Sequence, residues 1–303
     1  MAEAGGDVIL DASGVGFVEP FGLTLFGAAL YRVGQRGHRV LISGLNGNLA
    51  GYLQRMDLLD EVECVGCSPP QARRLNRADA LVELTRLDCA AEVSNAAHRL
   101  ACALVGQLPG VDPDEAPDEM TGYTSFDRLT EPLQYTLSEL LENALTHARR
   151  EGFLDAKVWV AGQYYPKNDL IQLGVVDTGC GLLATLRRHP ELRRERHLDA
   201  ILTALKPRVS CNRDLGIHSD SVNQGVGLTT TQRIAEHAGG RLVIVTGDAI
   251  HDTAGRSSTL AGDAYWQGVA VAMECRRAEL HNVNFRELLP PLDGVPPARL
   301  RFE

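Results

Sequence analysis

Ser138-Glu-Leu-Leu-Glu-Asn-Ala-Leu-Thr-His147 decides how the rest of this chain is read. Helical periodicity runs from about Ser125 to Arg150 and places Glu139 and Asn143 four residues apart, on one face. His147 follows one turn later along the same face. A carboxylate, a carboxamide and an imidazole stacked this way can polarise a water or hydroxyl and offer an amide oxygen to a hard cation such as Mg2+. Glu and Asn are also common on solvated helix faces, so taken alone the pattern favours the plainer reading.

Two later stretches change that balance. Leu173-Gly-Val-Val-Asp-Thr-Gly-Cys-Gly181 reads as an apolar strand running into Asp177, with Gly179 and Gly181 beyond it. An acid at a strand end can accept a hydrogen bond from an exocyclic amine, and the glycines let the backbone approach a flat ring. A plain turn uses the same residue types. Asn223-Gln-Gly-Val-Gly-Leu-Thr-Thr230 then runs straight into a helix, so Gly225, Val226, Gly227 and Leu228 present free N–H groups at its positive end. No Gly-Lys-Ser/Thr follows, and a third glycine and preceding strand are missing, which excludes a Walker loop and a dinucleotide fingerprint.

In this order the three stretches resemble the GHKL ATPase superfamily, the group of gyrase, the heat-shock chaperone ATPase, histidine kinases and MutL, over residues 121–277. The resemblance implies a Bergerat-type α/β sandwich, helices on a mixed sheet, holding ATP and Mg2+ under a long lid at 182–224. It makes Asn143 the Mg2+ ligand and Glu139 the general base. Asp177 becomes the adenine anchor, with Gly179 and Gly181 beside it, and His147 joins the nucleotide contacts. Gly225, Val226, Gly227 and Leu228 would face the phosphates. Within the lid, Arg187, Arg188, Arg193, Arg194, Arg196, Lys206, Arg208 and Arg213 either meet phosphates or a partner, or form an exposed basic helix. The closing strand, Gly268-Val-Ala-Val-Ala-Met273, lacks the Thr with which many relatives help hold adenine. The helix before Glu139 carries no phosphoacceptor His, against a self-phosphorylating kinase.

Upstream, short strands and amphipathic helices alternate: Val8–Asp11, Phe21–Gln35, Arg39–Ser43 and Leu49–Met56, then a strand at Ala80–Leu84 and a helix at Cys89–Leu108. Val8 to Phe26 is similar to STAS domains, the anti-sigma-factor antagonists, and the match extends through Gly37 to Leu45 as far as about Glu63. Glu19-Pro20-Phe21 stands where those antagonists carry a phosphorylatable Ser before the glycine. Residues 109–119 hold three prolines and five acids and read as a linker. The expected division is therefore a STAS-like α/β layer at 1–108, a linker at 109–120, a GHKL domain at 121–277 and a tail at 278–303 containing Pro290, Pro291, Pro296 and Pro297.

The 303 residues carry a net charge of −9, and residues 1–120 hold 9 basic and 17 acidic side chains, which argues against a dedicated nucleic-acid binder. The longest apolar stretch, Phe21–Tyr31, is too short for a membrane span, and Met-Ala-Glu-Ala-Gly-Gly-Asp7 is not a signal peptide. Seven scattered cysteines suggest reduced thiols in a cytoplasm. Cys64 and Cys67 have metal or redox spacing without a second pair, and a strand end entering a turn explains them better. The expectation is a cytoplasmic ATP-dependent switch that hydrolyses ATP or phosphorylates a STAS-like or sigma-factor-like partner on Ser or Thr. Its rivals are a nucleotide-gated interaction module without turnover and a mechanical ATPase acting as a homodimer.

Overall fold

The computed structural model describes residues 6–60, 62–66, 77–106, 108, 110–112, 114–207, 209 and 227–288, and the chain is mixed α/β. Three parallel strands, β1 (Val8–Asp11), β2 (Val40–Ser43) and β3 (Glu63–Val65), form one sheet in that order. Their crossovers are α1 (Pro20–Gln35) and α2 (Gly47–Arg55), because parallel neighbours need a long connection. Ile9 and Val65 lie on the face away from these helices and remain 66% and 44% exposed.

The second sheet has seven strands in the order β4-β5-β6-β10-β7-β8-β9. They are β4 (Leu81–Leu87), β5 (Val158–Tyr165), β6 (Leu170–Asp177), β7 (Arg241–Gly247), β8 (Ala249–Asp252), β9 (Arg256–Thr259) and β10 (Trp266–Arg276). The sheet expected to be mixed is antiparallel at every pairing; the short turns 166–169, 248 and 253–255 leave no room for a crossover between β5 and β6, β7 and β8, and β8 and β9. The β8–β9 hairpin had no counterpart in the sequence reading.

Alternation along the central strands sends side chains to two different cores. Val158, Val160, Leu173 and Val175 face α3 (Val93–Val105), α4 (Ser125–Ala148) and α7 (Gly227–His237). Trp159, Val176 and Ala270 face α1. The apolar run Phe21–Tyr31 thus belongs to a helix covered on two sides, by its own small sheet and by the large one. Glycines permit the contact. A Cβ at Gly174 would lie 2.5 Å from Thr24 Oγ1 and 2.8 Å from Pro20 O, and one at Gly27 would lie 2.8 Å from Leu84 Cδ2. Glu83 of β4 accepts from Arg55 of α2 and Arg99 of α3, a further tie between the layers.

The sheets divide upstream of the expected linker. β4 pairs with β5, and α3 packs along α4, so 81–105 belongs to the seven-stranded layer. The acidic stretch after α3 joins two helices of one layer. Ala96, Ala97, Leu100, Ala101 and Leu104 give α3 a flat apolar face that meets Leu133, Leu137 and Leu141. Thr124 caps α4 reciprocally with Asp127. The long region after Gly181 also departs from expectation. Its described part forms α5 (Gly181–Leu186) and α6 (His197–Ala204), with Leu186, Ala200 and Ile201 buried. Residues 208 and 210–224 of the expected lid lie outside the described residues, as do Cys67, the tail prolines, Arg208 and Arg213. β3 ends at Val65 and Gly66 turns with a positive φ, which matches the plain reading of Cys64.

Arg277 closes the far end of the large sheet. It is buried, donates to Asp79 O and to Ala103 O of α3, and lies over the Tyr164 ring. Its charge sits at the negative end of α3.

The α1 contact can be tested directly. Gly174→Val should lower stability by about 1–3 kcal/mol, since the added atoms have no space between β6 and α1. Thermal melting of the purified variant reads this, and an unchanged midpoint would mean that α1 does not close on β6.

Candidate functional site

Asp177 is the last residue of β6, paired with Val158 of β5 at the sheet centre. A chain leaving a central strand must turn sharply, and three glycines make that turn possible. A Cβ at Gly179 would lie 2.2 Å from Ala148 Cα, so the turn seats against the end of α4. Gly181 has φ +81° and opens α5. Gly268, with φ +117°, brings the bulged strand β10 so close that a Cβ would lie 2.2 Å from Asp177 O. The sequence reading took Gly268 as an ordinary strand residue, although a glycine inside a strand is itself a bulge signal.

Above the turn lies a cavity of about 110 Å³. Asn143, Ala144, His147 and Leu140 of α4 form its roof, Val175, Val269 and Val271 its floor, and Leu182, Thr185, Leu186 and Leu228 its sides; Asp177 and Gly181 also line it. The wall is mostly apolar, with a carboxylate, an amide and an imidazole placed in it.

The Asp177 carboxylate is buried, at 4% exposure, and accepts from Gly179 N–H at 2.8 Å. Burial pushes its pKa up to about 7, against the lowering by amide hydrogen bonds from Gly179 and Val269 and by the charge of Arg32. Burial also brings His147 down to about 4, helped by Arg150, so its imidazole is neutral. Glu139 is buried one turn before Asn143, and desolvation followed by the charge of Glu142 raises it to about 7. Glu139 does not line the cavity. It adjoins the start of α7 instead, where a Cβ at Gly227 would lie 3.0 Å from Glu139 C and 2.9 Å from Leu140 N.

The structure therefore gathers Asn143, His147, Asp177, Gly181 and Leu228 around one cavity, with Gly179 behind the turn and Glu139 and Gly227 at its border. Gly225 and Val226 lie outside the described residues. Among the described residues, no lid arginine or lysine lines the cavity. Arg187 pairs with Glu195, Arg196 with Asp199 and Lys206 with Glu191, all on the surface.

Three supporting residues escaped the sequence reading. Thr246 of β7 is buried, donates to Gly268 O at 2.7 Å and accepts from Leu182 N–H. Gln267 Nε2 donates to Gly179 O and Cys180 O, each at 3.3 Å. Arg32 of α1 donates to Gln267 O at 2.9 Å. No spacing rule could find these, because each bond joins segments far apart in the chain.

No protein-family model matches the chain, and no curated protein and no solved structure matches it.

The two raised carboxyls set a pH dependence. Their folded pKa values lie above the ordinary 3.8 and 4.5, so the folded chain holds more protons than the unfolded chain between about pH 4 and pH 7. Their contribution to stability is lost as pH rises through that window and is level above it. Asp177→Asn combined with Glu139→Gln removes this term. Relative to wild type, the variant's melting temperature should gain a few degrees between pH 4.5 and pH 8. A difference independent of pH would show that neither group is raised.

Proposed function

We propose that the chain binds ATP with Mg2+ at the Asp177 cavity and acts as a nucleotide-driven regulatory switch of the GHKL class. The observation that carries this reading is the buried carboxylate of Asp177 at the edge of a small apolar cavity roofed by Asn143 and His147, with Glu139 beside the glycine-led start of α7. The layering is compatible with it: α3, α4 and α7 cover one face of the large sheet, and a small STAS-like parallel layer covers the other.

The residues fit the group. The cavity suits a flat ring rather than a whole nucleotide. Val175, Val269, Leu182 and Leu186 line the cavity where they would flank a ring, and Asp177 would accept a hydrogen bond from an exocyclic amine. Asn143, and Gly227 and Leu228, whose N–H groups begin an eleven-residue helix, would hold the remainder of the nucleotide. Among the described residues no group of three or more His, Cys, Asp or Glu side chains can hold a metal. Mg2+ would rest on Asn143 together with phosphate oxygens and water, the usual manner for this ion.

Bound Mg2+ neutralises charge on the phosphate oxygens. The chain's own residues do the rest. Glu139, poised near neutrality by burial, takes the proton of the attacking water or of a partner's Ser or Thr hydroxyl. Asn143 orients the phosphates, neutral His147 packs at the cavity roof without repelling Mg2+, and α5 limits water access. The acceptor is water or a regulatory protein.

Titration calorimetry with ATP and Mg2+ tests the site. Asp177→Ala should weaken binding about ten- to a hundredfold, the effect of losing a charge-assisted hydrogen bond worth ~1.5–3 kcal/mol. Unchanged affinity in the folded variant would overturn the assignment.

Glu139→Gln should keep nucleotide affinity and lose turnover, measured by phosphate release alone and with candidate partner proteins. Wild-type turnover in this variant would remove Glu139 as the base. Binding without turnover in the wild-type chain would favour the nucleotide-gated interaction module.

A further inference from the structure

The turn after Asp177 is held by more than its own residues. Gly179 N–H donates to the Asp177 carboxylate, and Cys180 N–H donates to Ala148 O at the end of α4. The carbonyls of the same two residues lie 3.3 Å each from Gln267 Nε2. A carbonyl only accepts, so the Gln267 amide presents its NH2 to the turn, with one hydrogen for each oxygen. All four backbone polar groups of Gly179 and Cys180 are thereby paired, and Gln267 supplies half of the pairing.

Gln267 sits in the bulge of β10, between Trp266 and Val269. The rest of that bulge converges on the same carboxylate. Gly268 passes too close to Asp177 for any Cβ, its carbonyl accepts from Thr246, and Val269 N–H donates to Asp177. The bulge has one more hold, and it comes from the N-terminal layer: Arg32 of α1 donates to Gln267 O at 2.9 Å. Its charge also reaches the site. Burial, with Arg36 beside it, lowers Arg32, and the charge of Asp177 acts the other way. α1 is itself seated by two cores. Leu23 and Leu30 belong to that of the small sheet, and Ala28 packs with Trp159 and Val176 of the large one.

We propose that Gln267 is the positioning residue of the Asp177 turn and that Arg32 sets Gln267, so that the seating of the N-terminal layer on the large sheet regulates ligand binding in the cavity. This deepens the nucleotide reading and rests on it only for the identity of the ligand. Neither side chain lines the cavity, so both act through the backbone that joins two wall residues, Asp177 and Gly181. Linkage makes the effect reciprocal: a ligand that favours the ordered turn favours the seated α1 by the same factor.

The experiment compares the full chain with Gln267→Met, Arg32→Met, the double variant and Arg32→Lys. Methionine keeps most of the length of either side chain and removes its donors. Hydrogen exchange without ligand, read by mass spectrometry, follows the turn in peptides covering 178–186 and follows α3, on the opposite face of the sheet, as a measure of global stability. Gln267→Met should speed exchange at 178–186 about three- to tenfold, the loss of one modest hydrogen-bonded contact, and leave α3 at the wild-type rate. Arg32→Met should act in the same direction, and Arg32→Lys, which keeps a charge and a donor, should restore the wild-type rate. The double variant should fall short of the product of the two single factors, because both changes act on one contact. Calorimetry with ATP and Mg2+ should rank the affinities in the same order. Wild-type exchange at 178–186 in Gln267→Met, or a rise shared equally by α3, overturns the positioning role. An unaltered turn in Arg32→Met, or single factors that multiply in the double variant, overturns regulation through Gln267. Faster exchange of the turn in variants of a chain that binds no ATP supports the positioning role and overturns the nucleotide reading instead.

Discussion

Burial of β5 and β6 on both faces is the constraint on which the remaining structure depends. Strands that are apolar on both sides need a layer above and a layer below. α3, α4 and α7 supply one, and α1 supplies the other. Because α1 also covers its own three-stranded sheet, the N-terminal segment is bound to the large sheet as part of its core. Gly27 and Gly174 allow an approach too close for any Cβ, and Glu83, shared by Arg55 and Arg99, ties the layers where side chains emerge from the core.

The same central strands place the candidate site. Asp177 leaves β6 at the sheet centre, where it is buried at the edge of the cavity, and α4 lies across the exit. A buried, raised carboxyl is unfavourable for stability at neutral pH, which is the usual mark of a group retained for chemistry or binding. The turn that holds it is braced from the opposite face. Arg32 of α1 donates to Gln267 O, and the Gln267 amide donates to the carbonyls of Gly179 and Cys180. A shift of α1 on the large sheet would therefore act on the Gly179 turn through two hydrogen-bonded contacts. This gives the three-stranded N-terminal layer a physical route to the cavity.

Much of the candidate site was legible because its residues repeat at helical or strand spacing. Asn143 and His147 follow the period of α4, and Asp177 ends an apolar run, so their shared cavity was readable from local pattern. Glu139 follows the same period but lies one turn away from the cavity, a distinction that depends on where α7 packs. α5 and α6 were hidden by arginines at exposed positions, although Leu198, Ile201 and Leu205 keep the spacing of a buried helix face. The β8–β9 hairpin was missed because its strands are four residues each and β9 is wholly exposed, leaving no alternation to read.

By itself the sequence determined the elements: the helix of Glu139 and Asn143, the strand ending at Asp177, the glycine-led helix at Gly227 and the alternation of the N-terminal segment. Each follows from local forces, the periodicity of apolar residues, helix caps and glycine turns, acting over a few residues. Only the tertiary structure decided that β4 and α3 belong to the large sheet, that α1 lies between two sheets, and that Gly268, Thr246, Gln267 and Arg32 converge behind one carboxylate. Strand partners and long-range hydrogen bonds join residues tens to hundreds of positions apart. They are selected by the burial of both faces of the whole sheet, which no short window of sequence contains.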